Sequence, residues 1–315
     1  MSLDRAQKCI LGFSFVCASL IGCATPQLKT LRTANLNLPR AAHVVGVPQI
    51  AQTKNYCGPA TLAMVLQWTG DTTATPEILG PSVYTEGLSG SLQTDMLSAA
   101  RRKQKLAIEL NDLSSVLAEV AAQRPVIVLR NLAFAWYPMW HYSVVVGYDL
   151  DTEQLFLHSG KAEATSVTMK VFERTWARSD HWALLVLKPD QLPVSVGEPQ
   201  VTKATAALED VAGFAVTKIT YTNILKRWPQ SLEARIGLAN ALFNEGATKN
   251  AISELTKAVA INPTAAPAWH NLALAYHKNK QSQNASHAAR QALKSVGPGQ
   301  RSDYEAAFKQ VGIAF

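Results

Sequence analysis

Apolar residues repeat along the chain in two different rhythms, and the first, from about residue 44 to 190, keeps changing. Thr61 to Trp68 carries Leu62, Val65 and Leu66 at helical spacing, and Leu92 to Ala107 carries Leu92, Met96, Leu97 and Ala100 on one side. Leu113 to Ala122 predicts a third helix, stopped by Pro125. Short apolar runs follow at Pro125–Leu129, His141–Tyr148, Gln154–Leu157 and Trp182–Leu187, and each reads as a strand. Asp149 to Glu153 is a polar turn between two of them. Helices first and antiparallel strands second predict an α+β domain over residues 44–190.

Residues 191–200, with Pro193, Gly197 and Pro199, interrupt both rhythms and are expected to be a linker. From 201 to 315 the chain turns Ala-rich, helical and periodic. Pro229 and Pro263 stand 34 residues apart, and the next unit closes at Gly297-Pro298. Leu238, Ala239, Ala251 and Ala258 fill the small or apolar positions of the unit ending at Pro263; Trp269, Leu272, Ala273, Tyr276, Ala285 and Ala292 fill them in the next. Small residues let paired helices approach closely, and a closing Pro cannot continue a helix. The pattern resembles the tetratricopeptide repeat, a helix-turn-helix unit; Tyr221, Ile224 and Pro229 suggest a degenerate unit before it. The resemblance implies an all-α repeat region that recruits a protein partner or substrate.

The first 22 residues read as an export signal. Arg5 and Lys8 precede an apolar stretch from Ile10 to Ile21, about a dozen residues where a bilayer span needs about 20. The stretch ends Leu20-Ile21-Gly22-Cys23, which resembles the lipobox of bacterial lipoproteins. That resemblance implies cleavage ahead of Cys23, a lipid on its thiol that anchors the protein to the membrane, and a tether over residues 23–43. The uncharged Ala24 fits sorting to the outer membrane, facing the periplasm.

This processing changes how the cysteines count. Of Cys9, Cys17, Cys23 and Cys57, two leave with the signal and one carries lipid, so Cys57 has no internal disulfide partner. A lone thiol in an oxidising compartment must be buried or put to use. Composition adds less: 48% hydrophobic and 17% charged residues describe a globular chain. The net charge of +7 is spread in ones and twos with no run of five Lys or Arg, so nucleic-acid binding is not expected.

Around the thiol the chain reads Gln52-Thr-Lys-Asn-Tyr-Cys57-Gly58-Pro59-Ala60 and opens into the first helix. A helix N-terminus favours the thiolate, Gly58 would let a substrate backbone approach, and Pro59 is tolerated in the first turn. Acyl transfer needs a base beside the thiolate, and His141, at the head of a strand, is the candidate. Cys-Gly at a helix start with His141-x-x-Val-Val-x-Gly-Tyr148 on a strand resembles the bacteriocin-processing, double-glycine leader peptidases of the papain superfamily. Over residues 44–187 the resemblance implies a papain-like fold, with Cys57 as nucleophile, His141 as general base and acid, and Gln52 completing the oxyanion hole with the Cys57 N–H. Gln49 is the second candidate for the Gln52 role. Where the family has an Asp or Asn to orient the imidazole, this chain has Ser159, in the stretch Leu155-Phe-Leu-His158-Ser159-Gly160. Asp149, Asp151 and Asp180 are acids nearby in sequence, whereas His158 and His181 are read as structural. Trp136-Tyr-Pro-Met-Trp140 either lines a cleft or packs the rim.

No His, Cys or acidic cluster has metal-ligand spacing and no phosphate-cradling loop occurs, so no metal or cofactor is expected. The sequence therefore predicts an exported, lipid-anchored cysteine peptidase acting on a peptide or protein, followed by helical repeats. Two rivals remain open: a binding scaffold on a weakened peptidase fold, and an amidase or transamidase using the same Cys-His pair.

Overall fold

The structure, a computed structural model, describes residues 25–34, 37–52, 55–160 and 164–315. The export segment and Cys9, Cys17 and Cys23 lie outside the described residues. The chain divides into two compact units, one of Met1–Ala99 with Glu109–Val186, the other of Ala100–Ile108 with Leu187–Phe315.

In chain order the sheet-bearing part contains α1 (Pro26–Thr33), β1 (Ala41–His43), α2 (Cys57–Trp68), α3 (Pro76–Val83), β2 (Tyr84–Thr85), β3 (Gly90–Ser91), α4 (Gln93–Arg102), β4 (Leu106–Leu110) and α5 (Leu113–Ala121). It continues with β5 (Val126–Asn131), β6 (Trp140–Asp149), β7 (Gln154–His158), β8 (Thr165–Thr168), α6 (Met169–Trp176) and β9 (Ala183–Leu187). The strands lie in the order β4, β9, β5, β6, β7, β8. β6 pairs antiparallel with β5 through residues 140–145 and with β1 through 147–149. β5 and β9 are buried at every position, so they read as continuous apolar runs rather than alternating ones. α2 is buried from Gly58 to Leu66 and correspondingly apolar nearly all round. Helices α3, α5 and α6 start on side-chain caps: Thr75, Asp112 and Thr168 accept from the N–H groups of Ile78, Ser115 and Val171.

Two expectations change. The helix expected over Leu92–Ala107 ends at Arg102, because Gln104 turns left-handed with φ 56° and Leu106–Leu110 becomes β4, which buries Leu106, Ala107, Ile108 and Leu110. The stretch expected as a tether also folds in part. Residues 26–33 form α1, which buries Leu28 and Leu31. Its N–H groups at Gln27 and Leu28 donate to Glu173 Oε1 and Oε2, both at 2.8 Å. Eight residues are too few for a period to stand out, and the carboxylate that satisfies this helix start lies 146 residues away in sequence.

The helical part comprises α7 (Glu198–Ala212), α8 (Phe214–Arg227), α9 (Leu232–Asn244), α10 (Thr248–Ile261), α11 (Ala266–Lys278), α12 (Ser282–Ser295) and α13 (Pro298–Gln310). The expected linker thus gives its last three residues to α7. Neighbours pack as hairpins, α7 on α8, α9 on α10 and α11 on α12. Ala239, Ala251, Ala258, Ala273, Ala285 and Ala292 are all buried between helices, where a larger side chain would hold the backbones apart. The Trp269 indole donates to the carbonyl of Pro263 at 2.8 Å, tying the closing Pro to the following helix.

Glu173 is fully buried and holds two otherwise orphaned helix donors. Glu173→Ala is expected to cost about 2 kcal/mol, the penalty for burying unpaired donors, read by denaturant unfolding of the full chain. A loss below about 0.5 kcal/mol, the range of neutral surface changes, would show that α1 is held by other contacts.

Candidate active site

Cys57 is the first residue of α2 and half-buried. Backbone N–H groups of Tyr142, Gly58 and Cys57 itself favour the thiolate; burial opposes them and prevails, so the thiol is pushed up from its ordinary value. The expectation that the helix start lowers this thiol is therefore overturned. A helix terminus is worth up to about 1 kcal/mol at an exposed position, and lost hydration of a buried thiolate outweighs it.

His141 is the second residue of β6, directly opposite Arg130 on β5. Its neighbour Tyr142 supplies one of the amides that favour the Cys57 thiolate, so the heads of α2 and β6 meet. The imidazole Nε2 lies 2.7 Å from Ser159 Oγ, which lies 3.1 Å from Ser143 Oγ. Ser143 accepts from Arg130 Nη2 at 3.2 Å. Burial lowers the pKa of His141, the Arg130 charge lowers it further, and a hydrogen bond to the Ser159 backbone acts the other way.

Gln52 arrives on the loop before α2. Its N–H donates to the Gly160 carbonyl at 3.4 Å, and its side chain fills the space a Cβ at Gly160 would need, within 2.3 Å of Gln52 Cδ. Gly160 also has φ 78°, so glycine is required there twice over. The Gln52 Nε2 is buried and has no hydrogen-bond partner. Such a donor costs about 1–3 kcal/mol until an acceptor reaches it. Gln49 is exposed and carries no comparable constraint.

The other candidates fall elsewhere. Asp149 accepts from the N–H groups of Asp151 and Thr152 in the β6–β7 turn, and Asp151 pairs with Arg40 there, at the opposite end of β6 from His141. Asp180 lines the cleft. His158 is buried on β7 and His181 packs edge-on against Trp176. Gly58 serves packing rather than substrate approach: a Cβ there would stand 2.2 Å from Ser91 Oγ and 2.5 Å from Ser91 Cβ. Trp136 and Tyr137 are exposed, with Trp136 stacked on Phe134 and Tyr137 tilted against Trp136, while Pro138, Met139 and Trp140 wall a cavity of about 650 Å³ that reaches Cys57. Both readings of the aromatic stretch thus hold for different residues. Among the described residues no group of His, Cys, Asp and Glu comes together as a metal site.

Arg130, Ser143 and Tyr142 were not anticipated. Arg130 had one signal, a charge closing an apolar strand run; Ser143 and Tyr142 had none, because they sit on opposite faces of a largely apolar strand.

Residues 44–183 match the profile of the Peptidase C39-like family. Residues 239–280 match a TPR repeat profile and 266–295 a tetratricopeptide repeat profile. The chain therefore carries a C39-like peptidase domain of sheet and helices followed by an all-helical tetratricopeptide region. Among solved structures, it is similar to one described as a C39-like peptidase from Bacillus anthracis, at 18% identity and TM-score 0.40, covering 48% of this chain and 98% of that one. The peptidase domain of Streptococcus ComA, a bifunctional ABC transporter of quorum sensing, follows at 19% and 0.38, covering 45% and 98%. The Sgt2 TPR domain from Aspergillus fumigatus matches at 17% and 0.34, covering 36% and 76%. No curated protein matches the chain.

Gly58→Ala is expected to destabilise the protein by about 1–3 kcal/mol through overpacking, and Ser91→Gly in the same chain is expected to restore most of that loss in thermal unfolding. Additive losses in the double variant would remove Ser91 as the reason for the glycine.

Proposed function

We propose that the C39-like domain is a cysteine peptidase working through Cys57 and His141, and that the helical repeats recruit its protein substrate or partner. The observation that carries this reading is the buried, unpartnered Gln52 amide beside the Ser159–His141 contact and the Cys57 helix start. The thiol proton passes to His141 as sulfur attacks the peptide carbonyl. The resulting oxyanion accepts from Gln52 Nε2 and the Cys57 N–H, His141 protonates the leaving amine, and water releases the acyl group. Because burial disfavours both charged forms, the pair rests as neutral thiol and imidazole, and His141 works as a general base rather than half of an ion pair. The leader-peptidase resemblance supports small residues such as Gly at the cleaved position.

A second reading, a binding scaffold on the same fold, is favoured by the raised thiol and by a hydroxyl in place of an acid behind His141. Peptide turnover and thiol alkylation across pH separate the two. For a peptidase, Cys57→Ser and His141→Ala abolish turnover, and Gln52→Ala lowers kcat about 10²–10³-fold with little change in KM. Alkylation of Cys57 rises with pH and is still rising at the ordinary thiol value of 9.0, since a raised pKa keeps the proton on sulfur longer. No turnover, with alkylation indifferent to His141→Ala, leaves the scaffold.

The run Leu20-Ile21-Gly22-Cys23 supports lipid anchoring at Cys23 on the periplasmic face of the outer membrane. Cys23→Ala is expected to abolish incorporation of labelled palmitate and to move the protein into the soluble fraction; a labelled, membrane-bound variant removes the anchor from Cys23.

A further inference from the structure

Arg130 is 6% exposed, yet it has no ion pair with any described residue. Its Nε has no hydrogen-bond partner, its Nη2 donates to Ser143, and its guanidinium lies 5.8 Å from the Phe172 ring. A buried cation in that state is costly, and proteins seldom keep one without use. The groups around it are fixed. Arginine has only donors, so Ser143 Oγ must accept. The one hydrogen of the Ser143 hydroxyl is then free to go to Ser159 Oγ, 3.1 Å away. Ser159, having accepted, has one hydrogen to give, and it lies 2.7 Å from His141 Nε2.

We infer that Arg130 is a positioning residue for His141: acting through Ser143 and Ser159, it sends a chain of donated hydrogen bonds to Nε2 and so places the single proton of the neutral ring on Nδ1. An acceptor at that position, as in sites with an Asp or Asn, does the reverse; it takes the Nε2 proton and leaves Nδ1 open. With Nε2 as the acceptor of this chain, Nδ1 is occupied and cannot take a proton from the Cys57 thiol. The resting site is therefore held off by the polarity of its own hydrogen-bond chain. It is released when Nε2–H is given instead to the Ser159 carbonyl, the competing acceptor.

Among the described residues, the other charged groups packed around the ring are engaged elsewhere. Cys57 on α2 is a neutral thiol at rest, and Asp95 on α4 is felt at Tyr142. On α6, Glu173 is committed to α1, and on α5, Glu119 to Arg124. On β7, His158 is buried with its Nδ1 unpartnered, and His43 on β1 faces the other end of β6.

The inference rests on the Cys57–His141 reading, and nitrogen-resolved NMR of the His141 ring in the full chain tests it without needing turnover. At pH 7 the parent is expected to show a protonated Nδ1 and an unprotonated Nε2. Arg130→Met keeps the apolar stem but removes the donor, so it is expected to mix the two tautomers and to speed Cys57 alkylation at pH 7 about tenfold, the factor for one pKa unit. Arg130→Lys, also a pure donor, is expected to retain the parent tautomer and rate. Should Arg130→Met fail to fold, the parent spectrum decides alone. A parent ring protonated at Nε2, or an Arg130→Met protein with the parent tautomer and rate, would falsify the inference. Peptide turnover that survives His141→Ala sinks instead the reading on which it rests.

Discussion

The pairing of β6 with β5 and β7 fixes nearly everything at the site. Against β5 it sets His141 opposite Arg130 and Ser143 opposite Val128; against β7 it sets Val144 opposite His158. Side chains alternate across a sheet, so a slip of one residue would turn His141 and Ser143 to the other face together. Burial of β6 from Tyr142 to Tyr148 makes such a slip costly. The chemistry is thus placed by apolar residues that take no part in it. α2 contributes the other half: buried along its first nine residues after Cys57, it presses its N-terminal turn against the head of β6.

Two opposing effects meet at Cys57. The amides at the helix start favour a thiolate, and burial disfavours it more. The same burial acts on His141 in the opposite sense, lowering its affinity for a proton. An ion pair would need both shifts reversed, so neutrality at rest follows from how closed the site is. On the proposed peptidase reading, a substrate carbonyl oxygen would supply the acceptor that Gln52 Nε2 lacks, and the work would fall on stabilising the transition state rather than on a pre-formed nucleophile.

Much of this was legible in the sequence, for identifiable reasons. The Cys57 helix start, the His141 strand and the Ala-rich repeats each carry a strong local pattern, and Ser159 stood out because the family resemblance says where an acid belongs. Gln52 could be picked from its distance to Cys57, though not the glycine at 160 that makes room for it. What the pattern could not give was anything that depends on distant pairing. α1 has a marginal period and is held by Glu173, far along the chain. β4 was absorbed into the preceding helix because Ala100 to Ala107 fits either period, and only a left-handed Gln104 separates them. The direction of the thiol shift was misjudged because a helix start can be read from sequence and the burial of that start cannot.

Arg130 belongs to the same class of hidden feature, and its energetics limit what it can be for. A methionine at that position would fill similar volume over Phe172 without a charge to bury, and replacing buried charge by apolar side chains is often neutral or favourable. Stability alone therefore gives no reason for the guanidinium. Hydrogen bonding to Ser143 gives little more, since an amide or an ammonium could donate there too. What distinguishes a cationic donor is that it can never accept: Ser143 always receives a hydrogen bond from it, which biases the Ser143 hydrogen onward to Ser159. Ser143 and Ser159 are each able to donate or accept, and without a fixed end their orientation is free. A carboxylate at 159 would set the direction by accepting. This chain has a hydroxyl there and a guanidinium two links further back, so the direction is set from the other end and reaches His141 reversed.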